Sequence, residues 1–160
     1  MNFRIGHGYD LHRLQTGGRL VMGGVVVSTE MSPIAHSDGD VVIHAIVDAF
    51  CGALGAGDIG EHFPDADSAY KNAASTMFLE KLMRDADAAG YAVANVDVTI
   101  LAERPRLGAF KQQMAANLSR VLCGPVNVKA GTNEGCDAIG RGEAIAAHAV
   151  VLLAKQAPNP

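Results

Sequence analysis

The chain has 160 residues, of which 49% are hydrophobic and 19% are charged, and its formal net charge at pH 7 is −4. This length suits one domain with a substantial core, and this composition excludes a disordered chain. The negative charge and the absence of Trp argue against a nucleic-acid-binding protein. The apolar stretches are too short for a membrane span and the N-terminus has no signal-peptide core, so we expect a cytoplasmic protein.

The predicted elements alternate between strands and helices without an internal repeat. In chain order, the pattern predicts extended chain at 3–5 and 11–14, a hairpin across Gly23-Gly24, a buried helix from Asp38 to Leu54, a polar loop at 57–71, a helix at 75–89, a strand at 91–102, a helix at 107–122 and a strand from Val126. Residues 144–155 are ambiguous, since their alanines favour a helix and Val150-Val151-Leu152-Leu153 favours a strand. We predict one α+β domain over 1–160, with 156–160 as a frayed tail.

The three cysteines are widely spaced and form neither a C-x-x-C pair nor a disulfide framework. Cys51 falls on the apolar helix, where a small core residue fits. Nothing near Cys136 marks a nucleophile. The cysteines therefore fit a reducing compartment and give no sign of covalent catalysis.

Two short segments carry residues of metal-ligand type, Gly8-Tyr9-Asp10-Leu11-His12 and His36-Ser37-Asp38-Gly39-Asp40, and the second is followed by His44. Residues two apart on a strand face the same side, so Asp10 and His12 project together, while His44 comes from the buried helix. Two His and one Asp can hold zinc with one position left open. The alternative is that these are ordinary hydrogen-bonded side chains at the edge of the core.

The start of the buried helix offers a second kind of site. Ser37 or Asp38 is its predicted N-cap, so His36 and Ser37 would stand where a helix N-terminus attracts an anion. Asp40, His44 and Asp48 are spaced by four residues and form a polar line along this helix. A metal beside an anion site indicates phosphate chemistry.

The stretch Lys129–Glu143 is rich in glycine and follows a predicted strand. Its backbone N–H groups and the Thr132 hydroxyl could donate to phosphate oxygens. Glu134 could hold Mg²⁺ or Mn²⁺, and Arg141 could pair with a phosphate through two hydrogen bonds. A glycine-rich turn with a structural Arg explains the same residues equally well.

Several segments occur in an order that is specific as a set. They are RIGHGYDLH (4–12), MGG (22–24), AHSDGDVVIHA (35–45), GDIG (57–60), FPDAD (63–67), NVDVTI (95–100), PRL (105–107), and the KA-x-TNE and GRGEAIA pieces near the C-terminus. Over residues 4 to about 154 the chain resembles the 2-C-methyl-D-erythritol 2,4-cyclodiphosphate synthase family. Arg106 stands where that family usually has Lys.

The resemblance implies a reaction of the non-mevalonate isoprenoid pathway. The substrate would be 4-diphosphocytidyl-2-C-methyl-D-erythritol 2-phosphate, whose 2-phosphate attacks its own β-phosphate. The products would be 2-C-methyl-D-erythritol 2,4-cyclodiphosphate and CMP. No protein nucleophile is needed, so catalysis would consist of alignment and charge neutralisation.

The resemblance also implies roles for the matching residues. Asp10, His12 and His44 would hold Zn²⁺, and Glu134 would hold a second cation, Mg²⁺ or Mn²⁺, on the substrate diphosphate. His36 and Thr132 would be catalytic, orienting the phosphates. Five of these, Asp10, His12, His36, Thr132 and Glu134, would also contact substrate, together with Ser37, Asp58, Ile59, Gly60, Phe63, Asp65, Asp67, Ala102, Pro105, Arg106, Leu107, Asn133 and Arg141.

The implied architecture is a mixed sheet with helices packed on one face, which makes residues 144–155 a strand. Three copies would form a homotrimer with the sheets toward the three-fold axis and each active site between two subunits. Gly131 and Ala138 depart from the family pattern, as do Asn72 and Ala74. Gly131 and Ala138 leave open a catalytically silent trimer that binds metal and nucleotide. A zinc-dependent phosphohydrolase is a third hypothesis, with Asp40, Asp48 or Asp67 as its base.

Overall fold

The computed structural model describes residues 2–64, 67, 70 and 73–156. Its elements, in chain order, are β1 (Phe3–Thr16), β2 (Leu20–Met22), β3 (Val25–Ser28), β4 (Met31–Pro33), α1 (Val41–Leu54), α2 (Ile59–His62), α3 (Thr76–Ala88), β5 (Tyr91–Leu101), α4 (Lys111–Leu122), β6 (Val126–Gly131), α5 (Asp137–Gly140) and β7 (Ala144–Lys155). Asp65, Asn72 and residues 157–160 of the expected tail lie outside the described residues.

Five strands form one mixed sheet in the order β4-β1-β7-β5-β6. Strand β5 pairs in parallel with β6, and the other three pairings are antiparallel. Strands β2 and β3 form a separate hairpin, as predicted. The α+β class is confirmed, and so is the strand over 144–155 that the resemblance implied.

Helix α1 lies across β1 and β7, on the face of the sheet that α3 and α4 also cover. The approach is close because two positions of β1 have no side chain. A Cβ atom on Gly6 would lie 1.8 Å from the Ala49 carbonyl oxygen, and one on Gly8 would lie 2.0 Å from that of Ala45. The backbone of α1 therefore rests directly on β1, which carries His44 over the side chains of Asp10 and His12.

Helix α1 begins at Val41 with Asp40 as its N-cap, so the prediction of Ser37 or Asp38 was wrong. The Asp40 carboxylate is fully buried and accepts four backbone N–H groups. Two belong to the first turn of α1, and two belong to Gly23 and Gly24 of the β2–β3 hairpin. Asp40 is the N-cap because its carboxylate joins the helix start to the hairpin. Helix α4 also begins later than predicted, at Lys111 instead of Leu107.

The other face of the sheet carries, among the described residues, only the four-residue helix α5, whose Ile139 packs against Ala144 and Ala146 at one end of β7. Its exposed large apolar side chains lie on β1 and β7: Phe3 (58% exposed), Ile5 (69%), Tyr9 (47%), Leu11 (43%) and Val150 (37%). This surface is called the open face below. Exposed apolar patches of this kind are typical of interaction surfaces. In the described part of the chain, no helix combines the length and the apolar character that crossing a membrane would require.

Candidate metal and phosphate site

A cavity of about 610 Å³ opens where β1, α1, α2 and the start of α3 meet. Its walls combine ionisable, aromatic and small side chains. They are Asp10, His12, Ile34, Ala35, His36, Ser37, His44, Ile59, Gly60, Phe63, Tyr70 and Phe78. Eight of the residues predicted to contact metal or substrate are therefore brought together in one chain.

Asp10, His12 and His44 form a triangle of potential ligand atoms at this cavity. Asp10 Oδ2 lies 3.1 Å from His12 Nε2 and 3.1 Å from His44 Nδ1, and the two nitrogens are 3.2 Å apart. Ligand atoms about 2.0–2.1 Å from a tetrahedral zinc ion would be separated by about 3.3 Å. The donor set and its spacing therefore fit a three-ligand zinc site with one open position. These residues are called the Asp–His–His triangle below.

The Asp10 carboxyl group is held in its charged form. Burial alone would raise its pKa, but hydrogen bonds and positive charge from His12 and His44 outweigh burial and hold that pKa well below its usual value. The Leu11 N–H donates to Asp10 Oδ1 over 2.9 Å, which leaves Oδ2 to face the histidines. An ionised carboxylate aimed at two imidazoles is a ready ligand for a divalent cation.

His36 lines the same cavity, and its Nε2 atom is buried without a hydrogen-bond partner among the described residues. An unpaired buried nitrogen costs about 1–3 kcal/mol, so a partner from outside the chain is expected. Ser37 lies three residues before Asp40, the N-cap of α1, so it does not stand at the helix N-terminus as predicted, and anion binding at His36 and Ser37 stays a prediction. Its hydroxyl instead lies 3.1 Å from His44 Nε2.

Helix α2 and the aromatic residues beside it close one side of the cavity. Asp58 is the N-cap of α2 and accepts the Glu61 N–H over 3.0 Å. Phe63 is buried, and its ring centroid lies 4.3 Å from that of Phe78. Asp67 belongs to the described chain, whereas Asp65 does not.

The 132–143 segment, which follows β6, does not line this cavity. Strand register places Leu11, Ala146, Leu101 and Gly131 in one row across four strands. Neighbouring strands lie about 4.8 Å apart, so the end of β6 is about 14 Å from β1. Within one chain, the segment that carries the predicted second cation ligand and the Asp–His–His triangle are therefore on different strands of the sheet.

The side chains of the 132–143 segment bond mainly to one another. Thr132 Oγ1 donates to Glu134 Oε1 over 3.1 Å, and Asn133 donates to Asp137 over 2.9 Å. The Arg141 guanidinium pairs with Glu143 (Nε to Oε1 2.9 Å), so this predicted phosphate ligand is engaged in an exposed ion pair.

The predicted nucleoside contacts lie beside the 132–143 segment. The Ala102 N–H donates to the Gly131 carbonyl oxygen over 3.0 Å, and the Arg104–Pro105 peptide bond is cis. Leu107 is buried and Arg106 is exposed. These residues therefore belong with the 132–143 segment and not with the Asp–His–His triangle.

Two of the bases considered for a phosphohydrolase have structural partners. The Asp40 carboxylate caps α1 and binds the hairpin. Asp48 Oδ1 accepts the Ile59 N–H over 3.3 Å and ties α1 to α2. Neither carboxylate faces the Asp–His–His triangle.

Ser75, which the sequence analysis did not single out, contacts His44, and Asp38, predicted only as a possible N-cap of α1, contacts Ser75. Ser75 is fully buried, and its hydroxyl lies 2.9 Å from His44 Nε2. Asp38 in turn binds both the hydroxyl and the backbone N–H of Ser75. The one feature of the sequence that could have indicated these contacts is the position of His44 inside an apolar helix, because the second ring nitrogen of a buried His needs a hydrogen-bond partner.

Comparison with known proteins agrees with this geometry. The YgbB family model matches residues 3–154. A protein named 2-C-methyl-D-erythritol 2,4-cyclodiphosphate synthase, from Pelobacter propionicus, is 53% identical over 153 residues, which cover 94% of this chain and 97% of the relative.

Solved structures give the same assignment. IspF of Plasmodium falciparum, in a CDP complex, is 33% identical with a TM-score of 0.86 over 98% of each chain. The bifunctional IspDF of Campylobacter jejuni is 38% identical with a TM-score of 0.87, over 96% of this chain and 42% of that longer chain. The chain therefore belongs to the YgbB family, together with proteins named 2-C-methyl-D-erythritol 2,4-cyclodiphosphate synthase.

Proposed function

We propose that this protein is a 2-C-methyl-D-erythritol 2,4-cyclodiphosphate synthase. It converts 4-diphosphocytidyl-2-C-methyl-D-erythritol 2-phosphate to the 2,4-cyclodiphosphate and CMP. The observation that carries the proposal is the Asp–His–His triangle, which opens on one cavity beside the unpaired His36 Nε2. A three-ligand set with an open position suits catalysis on a phosphate group, whereas a structural zinc site is closed by four ligands.

The residues divide the work of the reaction. Bound zinc would supply Lewis-acid polarisation of the transferring phosphoryl group. His36 would donate its free N–H to a phosphate oxygen, and Thr132 would orient the diphosphate from the other side. The attacking group is a phosphate of the substrate itself, so the protein aligns attacking and leaving groups and needs no nucleophile of its own.

The remaining predicted contacts are assigned by position. Ile59, Gly60 and Phe63 line the cavity and would enclose the methylerythritol end. Ala102 to Leu107 and Asn133 would hold the cytosine, and Glu134 would hold Mg²⁺ or Mn²⁺. The CDP complex named for the Plasmodium falciparum relative supports a cytidine nucleotide as the ligand.

We further propose that the active form is a homotrimer whose sites lie between subunits. Two observations support this arrangement. The open face leaves apolar strand residues exposed, and a second copy would bury them. The end of β6, directly before Thr132 and Glu134, lies about 14 Å from β1 in the same chain, counted as three strand spacings, so these two residues would have to serve a neighbour's cavity.

A catalytically silent binding protein is the second candidate, because Gly131 and Ala138 depart from the family pattern. At Gly131 an added Cβ atom would meet nothing within 4 Å, so the missing side chain leaves space and not strain. Ala138 packs against the small cluster of Ile139, Ala144 and Ala146. Both departures are compatible with an intact backbone around Thr132 and Glu134.

Phosphorus NMR on the purified protein with zinc, Mg²⁺ and the diphosphocytidyl substrate tests the proposal. We expect CMP and a cyclic diphosphate to appear together, to stop on addition of a chelator and to resume when zinc is restored. An unchanged substrate spectrum, with metal bound and the trimer intact, would instead favour the silent binding protein. Release of inorganic phosphate or of a linear diphosphate would favour the phosphohydrolase.

A further inference from the structure

Asp38 and Ser75 form a chain of hydrogen bonds that ends on the helix-borne member of the Asp–His–His triangle. The Ser75 hydroxyl lies 2.9 Å from His44 Nε2 and donates a hydrogen bond to Asp38 Oδ1. Asp38 Oδ2 accepts the Ser75 backbone N–H over 3.0 Å. Ser75 is fully buried, so water does not compete for its hydroxyl.

The available hydrogen atoms determine which group is the donor in each hydrogen bond between Asp38, Ser75 and His44. A carboxylate only accepts, so the single proton of the Ser75 hydroxyl goes to Asp38. The Ser75 oxygen then has only lone pairs for His44, and His44 Nε2 must carry a hydrogen. In a neutral ring this leaves the lone pair on Nδ1, which lies 3.1 Å from Asp10 Oδ2 and 3.2 Å from His12 Nε2.

We propose that Asp38 acts through Ser75 as a positioning pair, which holds His44 in the tautomer that presents Nδ1 to the metal. The inference rests on the proposed use of the Asp–His–His triangle as a zinc site. It adds two residues that touch neither metal nor substrate. A fixed partner on the far nitrogen orients a ligating imidazole and raises its basicity.

The surroundings of Asp38 hold the pair in place. The Asp40 N–H donates to Asp38 Oδ1 over 3.2 Å, and the Asp38 N–H donates to the Ala73 carbonyl oxygen over 3.1 Å. Asp38 is thereby anchored both to the N-cap of α1 and to the chain leading into α3. The Ser37 hydroxyl also lies 3.1 Å from His44 Nε2, but among the described hydrogen bonds it accepts from the Gly39 N–H and is not joined to the Asp38 carboxylate.

Zinc affinity, measured by competition with a chromophoric chelator, tests the pair directly. We expect Ser75→Ala and Asp38→Asn each to weaken zinc binding by about 10- to 100-fold. Because Asp38 acts through Ser75, the double variant should be no weaker than Ser75→Ala alone. Ser75→Thr keeps the hydroxyl and should retain most of the affinity. Asp85→Asn removes a surface carboxylate from α3, where it pairs with Lys81, and is the charge-matched control.

Nitrogen-15 NMR of the zinc-loaded protein, labelled at histidine, reads the tautomer itself. We expect zinc on His44 Nδ1 and a slowly exchanging hydrogen on Nε2, which exchanges fast in Ser75→Ala. Zinc on Nε2, additive effects in the double variant, or variants that lose thermal stability but keep their zinc affinity would overturn the inference. A wild-type protein that binds no zinc would overturn the metal assignment as well. Zinc binding without turnover, with the tautomer as expected, would overturn only the proposed reaction.

Discussion

The Asp–His–His triangle and the 132–143 segment differ in how their side chains are held. The triangle joins β1 to α1, is partly buried, and has every ligand atom within 3.2 Å of the next. The 132–143 segment is largely exposed, and its Thr, Asn and Arg bond to neighbours in the same segment. The triangle is thus preorganised within a single chain, whereas in the proposed trimer Thr132 and Glu134 would complete the site of another chain.

The largest expected effect is that of His44→Ala. Two remaining ligands should hold zinc too weakly, so we expect loss of bound zinc and a fall in turnover of at least about 10³-fold. Metal analysis and phosphorus NMR measure the two quantities. His62→Gln is a matched control, since the His62 ring binds the Ala56 carbonyl oxygen instead of the triangle. Stoichiometric zinc in His44→Ala would contradict the ligand assignment.

Ile5→Asp should dissociate the proposed homotrimer and thereby separate the Asp–His–His triangle of one chain from the 132–143 segment of its neighbour. Ile5 is 69% exposed on the open face, and an unpaired carboxylate buried there would cost about 3 kcal/mol or more per subunit. We expect monomers in analytical ultracentrifugation, normal zinc content and little turnover. Met77→Asp introduces the same charge at an exposed apolar position of α3 and should leave the trimer intact. Full turnover by a monomer would refute a site shared between subunits.

Glu134→Gln should lower turnover without changing the zinc content of the Asp–His–His triangle. We expect a loss of about 10²-fold because one charged ligand for the second cation is removed from the transition state. Zinc content should stay at the wild-type value, and added Mg²⁺ should restore part of the activity. If this variant lost its zinc, the two metal assignments would have to be exchanged.

Mixing two inactive variants should restore only a small part of the turnover, but it directly distinguishes a site shared between two chains from a site within one chain. In trimers reassembled at random from His44→Ala and Glu134→Gln chains, about one quarter of the sites would combine an intact triangle with a neighbour's intact Glu134. We therefore expect about one quarter of wild-type turnover after mixed refolding. Activity no higher than that of the separate variants would place both halves of the site in one chain.

The triangle could be predicted from the sequence because it follows from local patterns of residues in one strand and one helix. Alternation along a strand put Asp10 and His12 on one side, and an apolar run placed His44 on a helix. Family resemblance, and not propensity, made 144–155 a strand, since alanine-rich sequence alone favours a helix.

The errors arose where a choice depended on distant groups. Asp40 is the N-cap of α1 because two N–H groups of the hairpin also need its carboxylate, and nothing near residue 40 shows that requirement. Helices α2 and α5 have four residues each and strand β4 has three, which is too few to produce a period. The Asp38–Ser75 pair was missed because it joins residues 37 positions apart.

The geometry of the Asp–His–His triangle depends on the absence of side chains at Gly6 and Gly8 of β1. At Gly6 and Gly8 the backbone of β1 contacts the backbone of α1 directly. The distance between the strand and the helix is therefore fixed, because no side chain lies between them that could change its rotamer. That spacing fixes how far His44 stands from Asp10 and His12. A single added methyl at either position would wedge the strand and the helix apart and widen the ligand set beyond the reach of one ion.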